Sequence, residues 1–251
     1  MSPSPEPGMV PPAGEGADPV GASGLAGARS APGRAAPARR VDFRLYAITD
    51  RQRCAPYPLA EVVARLAEAG VGAVQVREKD LSVDQVVALA AAVVAACRPH
   101  GCRVLVNASV EAAVRLAADG VQLPASAPAV ARVRAPAPWP LLVGCSVHSL
   151  EEALRRGEEG ADFLTASPVY PTPSKPGYGP TLGLEGLRRI CRAVSIPVFA
   201  LAGVTPQRVA ECLDQGAWGV AVMSGLMEPQ AAPARVRAYR ARIARHGEGR
   251  P

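Results

Sequence analysis

From Arg44 onward, short apolar runs rich in β-branched residues alternate with longer stretches in which Ala, Leu and Val recur at helical spacing. The strands read Arg44–Thr49, Ala73–Arg77, Arg103–Asn107, Gly120–Leu123, Leu141–Ser146, Asp162–Ala166, Val198–Ala202 and Gly219–Met223. The intervening helices read 58–69, 82–97, 109–118, 127–134, 149–158, 183–193, 205–214 and 230–245. Ser82 and Ser149 stand just before periodic stretches as capping residues, and Thr205-Pro206 reads as a cap with Pro at the first helical position. The strands are continuous apolar runs rather than alternations, which fits a parallel sheet buried on both faces.

Strand–helix units in this regular order predict an α/β fold, a single (β/α)₈ TIM barrel, over residues 41–246, with a short tail at 247–251. No G-x-G-x-x-G follows the first strand, where an open dinucleotide-binding sheet would place it. Residues 1–40 are built from Pro, Ala, Gly and Ser with hardly a large apolar side chain. Such a segment cannot bury enough surface to offset its ordering entropy, so a disordered extension is expected there.

Composition narrows the class further. The chain has 251 residues, 49% of them hydrophobic but only 4% aromatic, so Val, Ala and Leu are expected to fill the core. No apolar run is expected to reach the ~18 residues of a membrane span, and the start MSPSPEPG lacks the basic and apolar regions of a secretory signal. The six cysteines (Cys54, Cys97, Cys102, Cys145, Cys191, Cys212) form no CxxC pair. They read as reduced, mostly buried residues of a cytoplasmic protein. A net charge of +6 raises the question of nucleic acid. Its excess sits at the two ends of the chain, however, and few aromatics are available for base stacking, so solvated arginines explain it better. Neither a nucleic-acid nor a membrane partner is expected; a small molecule and a homo-oligomer are.

The working face of such a barrel lies at the C-terminal ends of its strands. Gln75, Arg77 and Lys79 fall there on strand two, Asn107 on strand three, Gln122 on strand four, and Ser146 and His148 on and beyond strand five. After strand six comes the segment PVYPTPSKPGYGPTLG, far longer than the ~2–6 residues usual for such a connection; it carries Thr172, Ser174 and Lys175 and suits a lid. Gly203 after strand seven lets backbone approach a ligand, and Ser224 and Gly225 offer matching amides after strand eight. Those two loops are where barrels usually bind phosphate. Of three histidines, only His148 sits beyond a strand at the active end, where acid–base chemistry is reasonable. The competing reading is that His148 caps the helix starting near Ser149. Metal ligation looks poor, because the strand ends carry no carboxylate cluster and Mg²⁺ normally wants one or two. Asp50 and Asp80 are the nearest candidates.

LYAITD, QVREK, GVQLP, SVHSLEEA, PVYPTPSK, SIPVFALAGVTP and GVAVMSGLM together resemble the thiamine phosphate synthase superfamily, from Leu45 to about Tyr239. The resemblance implies one of two chemistries. The synthase branch joins a pyrimidine pyrophosphate to a thiazole phosphate with Mg²⁺, held by aspartates after strands three and four. Here those places read Asn107-Ala108-Ser109 and Leu123-Pro124-Ala125-Ser126, without either aspartate. The other branch is similar to thiazole tautomerase, which aromatises the thiazole phosphate carboxylate before coupling. VQLPAS and SVHSLEEA resemble it closely, and its catalytic histidine falls on His148. That resemblance implies a cofactor-free proton shift, from the ring C2 to the exocyclic carbon. Arg77 would clamp the substrate carboxylate and Lys175 would close the lid, although Arg77, Lys79 and Lys175 also suit a synthase's pyrophosphate. The tautomerase is the favoured expectation, Mg²⁺-dependent synthase the alternative, and a non-catalytic thiazole phosphate binder a third.

Overall fold

The computed structural model describes residues 41–172 and 181–248. The extension expected to be disordered, at 1–40, lies outside the described residues, as do Ser174 and Lys175 of the long segment.

Among the described residues, eight parallel strands close into a barrel in chain order. They are β1 (Leu45–Ile48), β2 (Ala73–Val76), β3 (Arg103–Asn107), β4 (Gly120–Leu123), β5 (Leu142–Val147), β6 (Phe163–Ala166), β7 (Val198–Leu201) and β8 (Gly219–Val222). Leu45, Tyr46 and Ala47 of β1 pair with Val220, Ala221 and Val222 of β8, which seals the sheet. The outer helices are α1 (Leu59–Glu68), α2 (Val83–Cys97), α3 (Val110–Arg115), α4 (Val130–Arg134), α5 (Leu150–Glu158), α6 (Gly183–Ala193), α7 (Val209–Asp214) and α8 (Ala232–Glu248). The (β/α)₈ barrel is therefore the fold, with α8 running past the residue 246 at which the sequence reading ended the domain.

Among the described residues, serine side chains cap three of the helices, α2, α3 and α5. Ser82 opens α2 with a reciprocal cap: its hydroxyl accepts from the Gln85 amide at 3.3 Å, and the Gln85 side chain accepts from the Ser82 amide at 2.9 Å. Thr205 behaves differently from the expectation. Its side chain makes no capping hydrogen bond, and Pro206–Arg208 form a 3₁₀ turn before α7 begins at Val209. One expectation about hydropathy also needs correction. Val83–His100 is an 18-residue stretch of mean hydropathy 1.2, so among the described residues one helical run has the length and composition of a membrane span. In the barrel it is α2 with its following 3₁₀ turn, packed on α1 and α3.

The core has two layers. Between strands and helices it is Val, Ala and Leu, as composition predicts. The barrel interior is aromatic instead: Phe43, Tyr46, Phe163 and Phe199 pack with ring centroids 5.3 to 6.0 Å apart. All three phenylalanines of the chain are spent on this plug. It fills the barrel below the strand ends, so the open end above it becomes the cavity.

Candidate active site

Above the aromatic plug lies a polar layer contributed by five strands. Gln75 Nε2 on β2 donates to the Tyr46 hydroxyl on β1 at 3.2 Å, and that hydroxyl donates to Gln122 Oε1 on β4 at 3.4 Å. The amide nitrogen of Gln122 reaches Ser146 Oγ on β5 at 3.2 Å and Thr165 Oγ1 on β6 at 3.1 Å. Burial holds the Tyr46 phenol far above its ordinary range, although its bond to Gln75 acts in the other direction. These groups satisfy one another, as buried polar atoms must.

A cavity of about 1200 Å³ opens above this layer at the C-terminal ends of the strands. Gln75, Arg77, Lys79, Asn107, Ser146, His148, Gly203, Ser224 and Gly225 all line it, so nine residues singled out from sequence converge on one space. Gln122 does not line it. Both ends of its amide are committed within the layer below, and it is 1% exposed. Lys175 lies outside the described residues.

His148 is held from two sides. Its ring Nδ1 lies 2.6 Å from the Ser167 carbonyl oxygen. A carbonyl can only accept, so Nδ1 carries the proton and Nε2 is the basic nitrogen of the neutral ring. The backbone amide of His148 donates to Glu152 Oε2 at 2.6 Å, and the Ser149 hydroxyl accepts from the Glu152 amide at 3.1 Å. Ser149, not His148, is thus the side-chain cap of α5. The imidazole does not serve as that cap, and the helix-cap explanation for it loses its ground.

Charge in the cavity is sorted. Residues 77–80 read Arg-Glu-Lys-Asp, and the two carboxylates turn to Arg51 on the 3₁₀ turn after β1. Arg51 bonds Glu78 Oε2 at 3.1 Å and grips both Asp80 oxygens at 2.7 and 2.6 Å. The paired guanidinium holds the Asp80 carboxyl at about 2, below the usual carboxylate range. Thr49 bridges the same region, donating to Glu78 at 2.6 Å and accepting from the Arg77 amide at 2.9 Å. Glu78 is the only carboxylate among the described residues lining the cavity. Arg77, Lys79 and Arg208 also line it, so the space favours anions.

Arg208 escaped the sequence reading, although its place just after Thr205-Pro206 marks it as a residue of the β7 loop. Its guanidinium lies 4.3 Å from the centre of the Tyr170 ring and bonds the Gly203 carbonyl at 2.8 Å. Gly203 has a positive φ of 66°, and a Cβ there would come within 2.6 Å of Tyr170 Cβ and 2.9 Å of the Pro171 carbonyl. The glycine is therefore required first by the close passage of the β6 and β7 loops. Two groups from α8 tie the loops after β7 and β8 down: Tyr239 bonds the Val204 carbonyl at 2.8 Å and Arg235 the Gly225 carbonyl at 2.9 Å. Burial raises the Tyr239 phenol to about 12, so it stays a neutral donor.

Magnesium does not fit the residues at hand. The two rims where the synthase resemblance would put aspartates carry Ala108, Ser109, Pro124, Ala125 and Ser126, all lining the cavity and none a carboxylate. Glu78 is already bound by Arg51 and Thr49, Asp80 by Arg51, and Asp50 pairs with Arg53 at 3.1 Å. Nor do the cysteines supply a nucleophile. All six are free and five are buried, and burial raises Cys54, Cys145 and Cys212 to about 11 and Cys191 to about 12.

Comparison with known proteins places this architecture. A family model described as thiamine monophosphate synthase matches residues 45–226. A putative thiamine-phosphate synthase of Geobacter sulfurreducens is 39% identical over 188 residues, covering 75% of this chain and 88% of that protein. The putative thiamine-phosphate synthase 2 of Aquifex aeolicus is also 39% identical, over 74% of this chain and 98% of its own length. Among solved structures, a thiamine phosphate pyrophosphorylase from Pyrococcus furiosus superposes with a TM-score of 0.73 at 33% identity, covering 81% of this chain and 96% of that one.

Proposed function

The chain belongs to the thiamine monophosphate synthase family, and on that premise we propose that its cavity binds the phosphorylated thiazole of thiamine biosynthesis and shifts a proton on it without a metal. The observation that carries this reading is the rim after β3 and β4, where Ala108, Ser109, Pro124, Ala125 and Ser126 leave no carboxylate to compensate a metal–pyrophosphate clamp. In the proposed complex the phosphate lies against the amides of Gly203, Ser224 and Gly225, with the Arg208 cation beside it. Arg77 meets the substrate carboxylate in a paired, charge-assisted geometry. Gln75, Lys79, Asn107 and Ser146 border the ring.

His148 then acts at Nε2. That nitrogen takes the ring C2 proton, the C2–H electron pair moves through the conjugated system, and the resulting imidazolium returns a proton to the exocyclic carbon. The Ser167 carbonyl, fixed on Nδ1–H, stabilises the imidazolium between the two transfers. The free thiols and the biosynthetic relatives are consistent with a cytoplasmic enzyme.

A second reading rests on the relatives themselves. Their names speak for coupling of a pyrimidine pyrophosphate to the thiazole phosphate more directly than for the proton shift. The cations Arg77, Lys79 and Arg208 also suit a pyrophosphate. Proton NMR of the thiazole phosphate carboxylate tautomer in the presence of EDTA tests the first reading. Aromatisation at a rate proportional to enzyme is expected; a rate that appears only when Mg²⁺ is added would remove it.

A further inference from the structure

We propose that Arg156 of α5 is a positioning residue that fixes the β4–α4 wall of the cavity from behind. Arginine is rarely buried without partners, yet Arg156 is 2% exposed and is the largest of the fully buried side chains. One partner is the Glu159 carboxylate, 2.7 Å away. The others are backbone carbonyls of a single short loop. NH1 donates to Pro128 at 3.1 Å, while NH2 donates to Ala125 at 2.9 Å and Ala127 at 2.7 Å, with Pro124 at 3.5 Å.

That loop has little else to hold it. Its sequence Pro124-Ala125-Ser126-Ala127-Pro128 offers no large side chain to bury, and Pro124, Ser126 and Pro128 are exposed. Its own ordering bond is a turn from the Ala127 amide to the Pro124 carbonyl at 3.0 Å. The planar guanidinium supplies what the loop lacks, since a fork of donors can meet several carbonyls at fixed spacing where an ammonium cannot. Pro124, Ala125 and Ser126 present the other side of the same loop to the cavity. Arg156 rides on the helix whose cap follows His148 directly, so one side chain links the β4 wall to the element that sets the imidazole. The phosphate-type loops after β7 and β8 are held independently, by Tyr239 and Arg235.

The inference rests on the reading of this cavity as the thiazole phosphate site, and it separates from that reading by experiment. Arg156→Lys and Arg156→Met are compared with the parent by hydrogen–deuterium exchange and by calorimetric binding of thiazole phosphate carboxylate and of inorganic phosphate. In a folded variant, exchange at Ala127 should rise at least tenfold while the α8 amides stay unchanged. Thiazole phosphate affinity should fall about tenfold and inorganic phosphate affinity stay within twofold. Lys should rescue little of the Met defect, because charge alone does not span the carbonyls. Unchanged exchange in the loop, or equal weakening of both ligands, would overturn the proposal. So would a failure of both variants to fold, which would make Arg156 a global anchor. If the parent itself does not bind thiazole phosphate, the functional reading fails, and the exchange comparison still decides the role of Arg156.

Discussion

Replacing His148 by Asn separates the proton-shift role from any structural one. The structure sets the stability cost. The bond from the His148 amide to Glu152 is a backbone bond and survives the change, as does the Ser149 cap. The substitution removes the partly buried side-chain bond to the Ser167 carbonyl, together with a longer 3.5 Å contact to the Ser167 hydroxyl. A bond of that kind is worth about 0.5–1.5 kcal/mol net, a few degrees of melting temperature for a domain of this size. The catalytic cost is of another order. A positioned acid–base group contributes about 10²–10⁴ in rate, or roughly 3–5 kcal/mol of barrier at 1.36 kcal/mol per decade. The assay measures turnover of the thiazole tautomer with EDTA present, alongside a thermal melt and a binding titration. Turnover should fall at least a hundredfold, with affinity within a few-fold, because the proposal assigns phosphate and carboxylate to other groups. A variant that keeps most of its turnover would refute the assignment, and one whose melting temperature falls far beyond those few degrees, so that the lost rate tracks lost folded protein, would return His148 to a structural role.

Gly225→Ala probes the proposed phosphate contact more cleanly than any change at Gly203: its Cβ would meet Val222 at 3.3 Å and the Tyr239 hydroxyl at 3.5 Å, so phosphate affinity should fall several-fold in titration with the melting temperature nearly unchanged. Gly203→Ala should instead destabilise by more than 1 kcal/mol in urea melts, since its left-handed backbone and the Tyr170 clash act together. The lowered Asp80 carboxyl contributes stability that is present above its unfolded value near 3.9 and is lost as pH falls from about 4 toward 2; this exposed pair is screened by salt, so melts of Asp80→Asn against the parent should differ at low ionic strength and converge at about 1 M. With thiols raised to about 11 or 12, iodoacetamide at pH 8 should leave Cys54, Cys145 and Cys212 unmodified in the native protein, and mass spectrometry showing rapid alkylation would contradict their burial.

The barrel was legible because its signals are local: β-branched runs, Ser82 and Ser149 as caps, and a regular alternation that fixes topology through chain connectivity. Residues at strand ends were legible for the same reason, which is why Arg77, Asn107 and His148 share one cavity. What sequence could not resolve depends on contacts between distant elements. Gln122 sits at a strand end like the others, yet pleat and depth turn it into the layer bonded to Tyr46 and Thr165. The 4% of aromatics said nothing of Phe43, Tyr46, Phe163 and Phe199 meeting in the barrel interior. Gly203 was read as room for a ligand, whereas Tyr170 and Pro171 of another loop claim that room first. Arg156 was not singled out from sequence, because the carbonyls that bury it come from about thirty residues upstream.

The central claim is that this member of the family moves a proton without a metal at a rim that carries no carboxylate. Its most direct test runs two reactions on one preparation of the full chain. One holds the thiazole phosphate carboxylate tautomer with EDTA; the other holds pyrimidine pyrophosphate, aromatic thiazole phosphate and Mg²⁺. The account predicts enzyme-dependent aromatisation in the first and no thiamine phosphate in the second. Thiamine phosphate formed in the second, with the tautomer left unchanged in the first, would contradict it.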